Sequence, residues 1–480
     1  MRETFGVGRD WPLSDDALQP YMAQVDREMG ISGDVEEQRK IGIAYPEGYV
    51  YPMHGMPLSY LDQQVALGIE GTSVELDGQT YPLHVRGYPQ ARNGVPNPAY
   101  DGGKGFVPVG AVSTHQVEEG ERCQGNNNCV PICPVQAKYH AGKTLSAALH
   151  TGRVDLLSQA VASKVNVDPA NGRVTSITVK HYQSPDRATH ETAEITGRLF
   201  VLAAGAIETA RLMLASDLQA SSGLLGRNLM DHAYLLSWAL MPQICGTLRG
   251  TVCTGGIVDL RGGSFRRNQA AFAVDIHNDG WGWATGGPST ELIGLVDDEN
   301  RFGRSLRQGL IDQVSKQLLL AFMVEMLPDE SNRVTVDPSY TDALGNMRPV
   351  VSLSFSEYTL RGVAYARQFA RTVFQRLGAK DHTHYDPSDY GFVSYQGEGY
   401  AIRGGNHLAG THIMGTTPRN SVVDANQRSW DHANLYLVGG GSMPTIGTSN
   451  VTPTLSALSF KTAEAMIAEL ATPTLSDARG

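Results

Sequence analysis

Cysteine is scarce. Five in 480 residues cannot cross-link a disulfide scaffold, and an odd number leaves at least one thiol unpaired, a usage that favours the cytoplasm. Long hydrophobic runs are missing as well. The longest apolar stretches, 200–207 and 318–324, fall well short of the roughly 18–20 residues that cross a bilayer. The opening Met1-Arg2-Glu3-Thr4-Phe5-Gly6 has none of the apolar core of a secretory signal. There is no basic run, and the net charge is −10, which disfavours a protein that tracks nucleic-acid phosphates. No internal repeat or low-complexity tract is visible. What is present is a chain of ordinary globular composition, 41% hydrophobic and 18% charged. At roughly 150 residues per domain it is long enough for two or three. Small-molecule chemistry is the better expectation.

Apolar spacing predicts a helix over 17–29, with Leu18, Met22, Val25 and Met29 on one face and Gly30 closing it. Residues 45–110, rich in Gly, Pro and Tyr, predict a short helix at 59–67, a strand-like piece at 81–85, and a lid or dimer surface in preference to a core. Residues 144–232 predict strands at 154–157, 161–167, 174–182 and 199–203, two of them joined by the turn Asp168-Pro169-Ala170-Asn171-Gly172. The apolar run 200–205 then leads through Gly205 into a helix. Strand, glycine turn and helix in that order are the elements of a dinucleotide-binding α/β layer. Residues 233–400 predict a large mixed or antiparallel sheet with one helix at 360–377. A short strand at 435–438 leads to Gly439-Gly440-Gly441 and then to a helix over 453–470, with Thr452 as N-cap and Pro453 at its first position.

Two segments carry the chemistry: His407-Leu408-Ala409-Gly410-Thr411-His412-Ile413-Met414-Gly415 and Gly447-Thr448-Ser449-Asn450-Val451-Thr452-Pro453-Thr454. Oxidising an alcohol by hydride transfer needs a base for the hydroxyl proton, and imidazole is poised for that near neutral pH. His407 suits the base, and the Asn450 amide suits a donor that orients the alcohol oxygen. The hydride needs an acceptor that no side chain provides, so a cofactor is implied. The amides at the start of the last helix would stabilise negative charge on a reduced flavin near Thr452.

These segments resemble the C-terminal signature of the glucose–methanol–choline flavin oxidoreductases, and the asparagine form looks most like their pyranose-oxidase, C-glycoside-oxidase and gluconate-dehydrogenase branch. Further matches follow in the family's order: Asp10-Trp11-Pro12, the Cys123…Cys129…Cys133-Pro134…Ala137-Lys138 stretch, Leu202-Ala203-Ala204-Gly205-Ala206-Ile207-Glu208-Thr209, and Gly226-Arg227-Asn228-Leu229-Met230-Asp231-His232. The resemblance implies FAD and a sugar or glycoside substrate. It also implies an α/β plus α+β fold, an incomplete Rossmann-like FAD-binding domain with a large mixed or antiparallel-sheet substrate domain. It places a lid or substrate-domain segment with the cysteine loop at 1–143, the middle of the FAD-binding domain at 144–232, the substrate sheet at 233–400, and the catalytic end of the FAD-binding domain at 401–480. His407 and Asn450 are then catalytic. Val161, Ala203, Gly205, Gly439, Gly440 and Thr452 border the cofactor, although many relatives carry Asp where Gly439 stands.

The family's glycine-rich phosphate loop has no counterpart here. The sequence contains no G-x-G-x-x-G, and Gly103-Lys104-Gly105 and Gly280-Trp281-Gly282 lack the third glycine. Because the resemblance begins at Asp10, the expectation is that the FAD-binding unit lies on another chain or is lost through a truncated reading frame. The alternative is a flavin-free subunit that binds a partner or glycoside without redox chemistry. A homo-oligomer stays open.

Cys123, Cys129 and Cys133 could suggest zinc or iron–sulfur ligation, but their spacing matches no common pattern and the resemblance carries the stretch as a structural loop, so no metal is assigned. Ser113-Thr114-His115 resembles a flavin-attachment motif in the wrong order and is read as coincidence. Trp281 and Trp283 could stack on a sugar, though tryptophans in a sheet are more often core. His412 is expected on a strand after His407.

Overall fold

The computed structural model describes residues 1–480 except 111–119, 128, 131–132, 219, 287–289 and 472–480, so Ser113-Thr114-His115 lies outside the described residues. Ser14 opens the first long helix, α1 (Asp15–Met29). Its side chain accepts the Ala17 N–H, Asp15 and Asp16 complement the helix dipole, and Gly30 closes the helix in the left-handed region at φ 61°. Helix α2 (Tyr60–Ile69) begins with a capping box between Ser59 and Asp62. Its Leu61, Val65 and Ile69 recur every four residues and are buried in the main core with Leu83. Within the stretch 45–110, expected as a lid or dimer surface, this helix belongs to the core: helical periodicity in a Gly- and Pro-rich stretch is enough to bury one element. A short strand, β1 (Val85–Gly87), follows.

Strands β2 (Ala160–Val167), β3 (Val174–Tyr182) and β4 (His190–Thr196) form an antiparallel sheet in that order. The turn between β2 and β3 is held by Asp168, whose carboxylate accepts the Ala170 N–H at 2.9 Å. No strand forms at 154–157, where Val154, Leu156 and Leu157 are exposed; a strand exists through its ladder, and this run has no partner to pair with. Strand β5 (Phe200–Leu202) passes through the turn at Ala203 and Ala204 into helix α3 (Gly205–Ala215).

The large sheet comes next, from β6 (Ala233–Leu240), β7 (Cys253–Ile257), β8 (Phe272–His277), β9 (Gln317–Val324), β10 (Phe392–Tyr395) and β11 (Glu398–Gly404). Its order is β10-β11-β6-β9-β8-β7-β1, with every neighbouring pair antiparallel and the short strand Lys380–Asp381 also pairing with β6. Side chains alternate between its faces. One face presents Phe272, Phe322 and Val324 to helix α4 (Glu357–Arg376), whose Val363, Phe369 and Val373 are buried in the same core. The other face carries Tyr234, Leu236 and Trp238, and His232 continues that alternation just ahead of β6. The single helix expected over 233–400 is joined by another of ten residues, Gly303–Asp312, whose two glycines and charged surface weaken its sequence signal, and by the short helices Gly282–Thr285 and Thr290–Ile293.

The chain closes with β12 (Leu435–Leu437), parallel to β5, and helix α5 (Thr452–Ala471). The Val451 carbonyl accepts the Leu455 N–H at 3.0 Å, so Val451 takes the N-cap place and Thr452 the first helical position, one residue earlier than expected. Among the described residues no helix is long and apolar enough to cross a membrane.

Where sheet and helix meet, the rings of Phe272, Phe322 and Phe369 lie 5.4–6.2 Å apart edge to face. Phe322 has no exposed surface, so Phe322→Ala should lower folding stability by about 3–5 kcal/mol. The denaturation midpoint should fall with an unchanged slope against denaturant; an unmoved midpoint would contradict this packing.

Candidate active site

Three stretches far apart in sequence run side by side. Met230 and Ala409 exchange backbone hydrogen bonds of 2.9 Å in both directions, and the Gly226 N–H donates to the Thr411 carbonyl at 2.7 Å. On the opposite side of the 407–415 segment, the His412 N–H donates to the Gly441 carbonyl at 2.9 Å and the Met414 N–H to the Ser442 carbonyl at 2.8 Å. Two of the three consecutive glycines are needed for this closeness. A Cβ on Gly440 would come within 2.5 Å of the Leu408 carbonyl oxygen, and one on Gly441 within 2.0 Å of the His412 ring. The missing side chains of Gly440 and Gly441 therefore serve packing within the chain.

His407 stands at the end of this arrangement, three residues beyond β11. Its backbone N–H donates to Asp231 Oδ1 at 2.8 Å, the His232 N–H donates to the same oxygen at 2.7 Å, and the Asn406 N–H donates to Asp231 Oδ2 at 3.2 Å. The rings of His232 and His407 meet edge to face, with Nδ1 to Nδ1 at 2.8 Å, and His232 Nε2 lies 3.1 Å from the Gly447 carbonyl oxygen. The Asn450 carboxamide also contacts the His407 ring, so the imidazole and the carboxamide do come together. Asn450 is exposed and His407 half-buried, whereas His232 is 1% exposed.

Burial dominates the electrostatics. It pushes His407 below the usual imidazole range, against the opposing pull of Asp231 and of the Asn450 side chain. His232 is pushed down to about 4 by burial and by the neighbouring His407. The Asp231 carboxyl is raised by burial, with the three backbone N–H groups and His407 opposing. Both rings are therefore neutral at pH 7.

Asp231, His232 and His407 also bring ligand-type atoms within 4.8 Å of one another. Two imidazole nitrogens on one tetrahedral zinc at 2.0–2.1 Å would stand about 3.3 Å apart. The 2.8 Å contact is instead a hydrogen bond holding a proton. A different donor set lies elsewhere: Cys123, Cys129 and Cys133, all unbridged, line one cavity with Arg92 and Lys138. Among the described residues, however, these three sulfurs do not converge as ligands to one ion.

The carboxyl ends of the parallel strands β5 and β12 lie together, the Val438 N–H donating to the Leu202 carbonyl at 3.0 Å. Ala203, Ala204 and Gly205 are exposed there. Gly205 and Gly439 adopt φ values of 79° and 97°, and a Cβ on either would meet nothing within 4 Å. This open backbone surface at the carboxyl ends of parallel strands fits close approach by a dinucleotide cofactor, with the exposed Thr452 at the start of α5. Val161 stands apart at the start of β2, the outer strand of its sheet.

His412 lies in a turn and not on a strand. It is completely buried against Gly441 and pushed down to about 3 by that burial. Trp281 is core: it is 8% exposed, with its indole N–H donating to the Leu318 carbonyl. In the sequence, Asp231 and His232 carry no role beyond closing the motif Gly226-Arg227-Asn228-Leu229-Met230-Asp231-His232. The available signal was two polar residues placed directly ahead of a buried strand.

Residues 77–234 and 328–459 each match a family model described as GMC oxidoreductase. The chain is 31% identical over 482 residues to the fructose dehydrogenase large subunit of Gluconobacter japonicus, covering 98% of this chain and 77% of that protein. It is 24% identical over 470 residues to paromamine 6'-oxidase of Streptomyces fradiae, covering 97% and 73%. The crystal structure of pyridoxine 4-oxidase from Mesorbium loti shares the fold, with a TM-score of 0.57 at 16% identity over 97% of this chain and 80% of that one. With both models matched and a relative of this identity aligned over 98% of this chain, the chain belongs to the GMC oxidoreductases, FAD-dependent enzymes that oxidise CH–OH donors.

Proposed function

We propose that this chain oxidises the hydroxyl of a sugar or glycoside by hydride transfer, with His407 as base and Asn450 as the donor that orients the alcohol oxygen. The observation that carries the reading is the contact between the Asn450 carboxamide and a half-buried, neutral His407. FAD, when bound, supplies the hydride acceptor that no side chain can be. His407 keeps a lone pair at neutral pH because burial disfavours its charged form, and it takes the hydroxyl proton. The Asn450 amide donates to the alcohol oxygen and limits the orientations the carbinol can adopt. Ala203, Gly205, Gly439 and Thr452 would border the cofactor, and Val161 its adenine end. A sugar is favoured because two relatives are named for fructose and for paromamine.

The reading includes a second polypeptide that completes the FAD site. Three observations support it: the sequence has no G-x-G-x-x-G; among the described residues β5 pairs with β12 alone; and Val201 is 41% exposed between the buried Phe200 and Leu202. Parallel strands are ordinarily covered on both faces. Purified full-length chain mixed with FAD should acquire flavin absorbance, alone or with that partner, and fructose, glucose or methyl glucoside should bleach it. A chain that stays colourless in both conditions supports the flavin-free binding subunit instead.

In the FAD-loaded protein, His407→Ala should slow flavin reduction by at least about a hundredfold; retained bleaching rates refute the base. The pH dependence has a definite sign. A base is active when deprotonated, so the rate should be level at neutral pH and fall only below the ordinary imidazole value of about 6.5. Asn450→Ala removes a contact that favours protonated His407. It should lower the plateau and move the acid limb to still lower pH; a limb displaced upward contradicts the assignment.

A further inference from the structure

Counting protons around the two rings gives each nitrogen one role. The Gly447 carbonyl can only accept, so His232 Nε2, 3.1 Å away, carries the proton of that neutral ring. His232 Nδ1 is then a lone pair. It faces His407 Nδ1 at 2.8 Å, and a contact of that length needs exactly one hydrogen, which must sit on His407. The neutral His407 therefore has its lone pair on Nε2.

Resting on the proposed role of His407, we infer that His232 is a positioning residue: by accepting the Nδ1–H of His407, it selects the tautomer whose Nε2 receives the substrate proton. Two further features make it suitable. Its 1% exposure keeps water from competing for Nδ1. Its backbone N–H shares Asp231 Oδ1 with the backbone N–H of His407, so the two residues are held in register by a single atom. As His407 gains the substrate proton, the same Nδ1–H···Nδ1 bond becomes charge-assisted and shorter bonds of that kind are stronger, which favours the protonated product over the ground state. A ring with the opposite tautomer would present an N–H to the alcohol and could not act as base.

The test reads the tautomer directly. In full-length protein with 15N-labelled histidine, two-bond proton–nitrogen correlation spectra should show His407 protonated at Nδ1 and His232 at Nε2, assigned through His407→Ala and His232→Asn. His407 found protonated at Nε2 in the unsubstituted protein overturns the inference, and this measurement requires no substrate. In the FAD-loaded protein, His232→Leu should lower kcat for whichever named sugar bleaches the flavin by about tenfold to a hundredfold, with KM changed less than about twofold. His232→Asn, whose Oδ1 can accept in place of Nδ1, should recover most of the loss. Equal losses in the Leu and Asn variants, or a loss confined to KM, would make His232 merely structural. Should His407→Ala keep full activity, the base assignment fails while the tautomer result stands, so the two claims fail separately.

Discussion

One carboxylate joins the two halves of the site. Asp231 receives the backbone N–H groups of His232, Asn406 and His407, segments 175 positions apart in the chain. Hydrogen bonds to an ionised acceptor are roughly twice as strong as neutral ones, and a buried carboxylate left with fewer partners would incur a large desolvation penalty. The side chain is thus stable only where both segments are present. Every later feature follows from that junction: the edge-to-face rings, the direction in which His407 faces, and its meeting with Asn450. The large sheet supplies the rigidity, because β6 starts at Ala233 and β11 ends at Gly404, paired across Ala233 and Gly404 themselves.

Burial then decides the charges. Asp231, His232 and His407 all have their charged forms penalised by loss of water, and each has contacts that oppose the penalty without cancelling it: three backbone N–H groups and His407 at Asp231, the Gly447 carbonyl at His232, and Asp231 with Asn450 at His407. The result is one anion spent on backbone groups and two neutral rings. Two rings whose facing nitrogens lie 2.8 Å apart could not both be charged, since like charges that close repel strongly in a medium of low effective dielectric constant. The neutral pair is therefore a consequence of packing as much as of pH.

Much of this was legible in the sequence where the physics is local. The β2–β3 hairpin, the helices at α1, α3 and α5, and the strand before the triple glycine come from turn residues, caps and apolar spacing acting within a few positions. The convergence of His407 and Asn450 rested on a resemblance, because nothing in either segment specifies its partner. What could not be read was set by contacts at long range. The 154–157 run has the composition of a strand but no neighbour, and α2 lies in a segment whose glycines and prolines suggested surface although Leu61, Val65 and Ile69 sit in the core. His232 was hidden for the same reason: its role depends on the protonation of a ring that only the tertiary fold brings to it.

In the proposed role of His407 as base, the identity of the group behind it has chemical consequences. A carboxylate at His407 Nδ1 would stabilise the imidazolium strongly and raise its pKa, so a larger fraction of the base would already be protonated at neutral pH. A neutral imidazole acceptor fixes the same tautomer with a smaller rise. The negative charge of Asp231 still acts on His407, but its oxygens contact the backbone of that residue and not the ring nitrogen. Orientation and charge stabilisation, which a single carboxylate supplies together in a catalytic triad, are here divided between two adjacent residues, and a base kept free at neutral pH is what that division achieves.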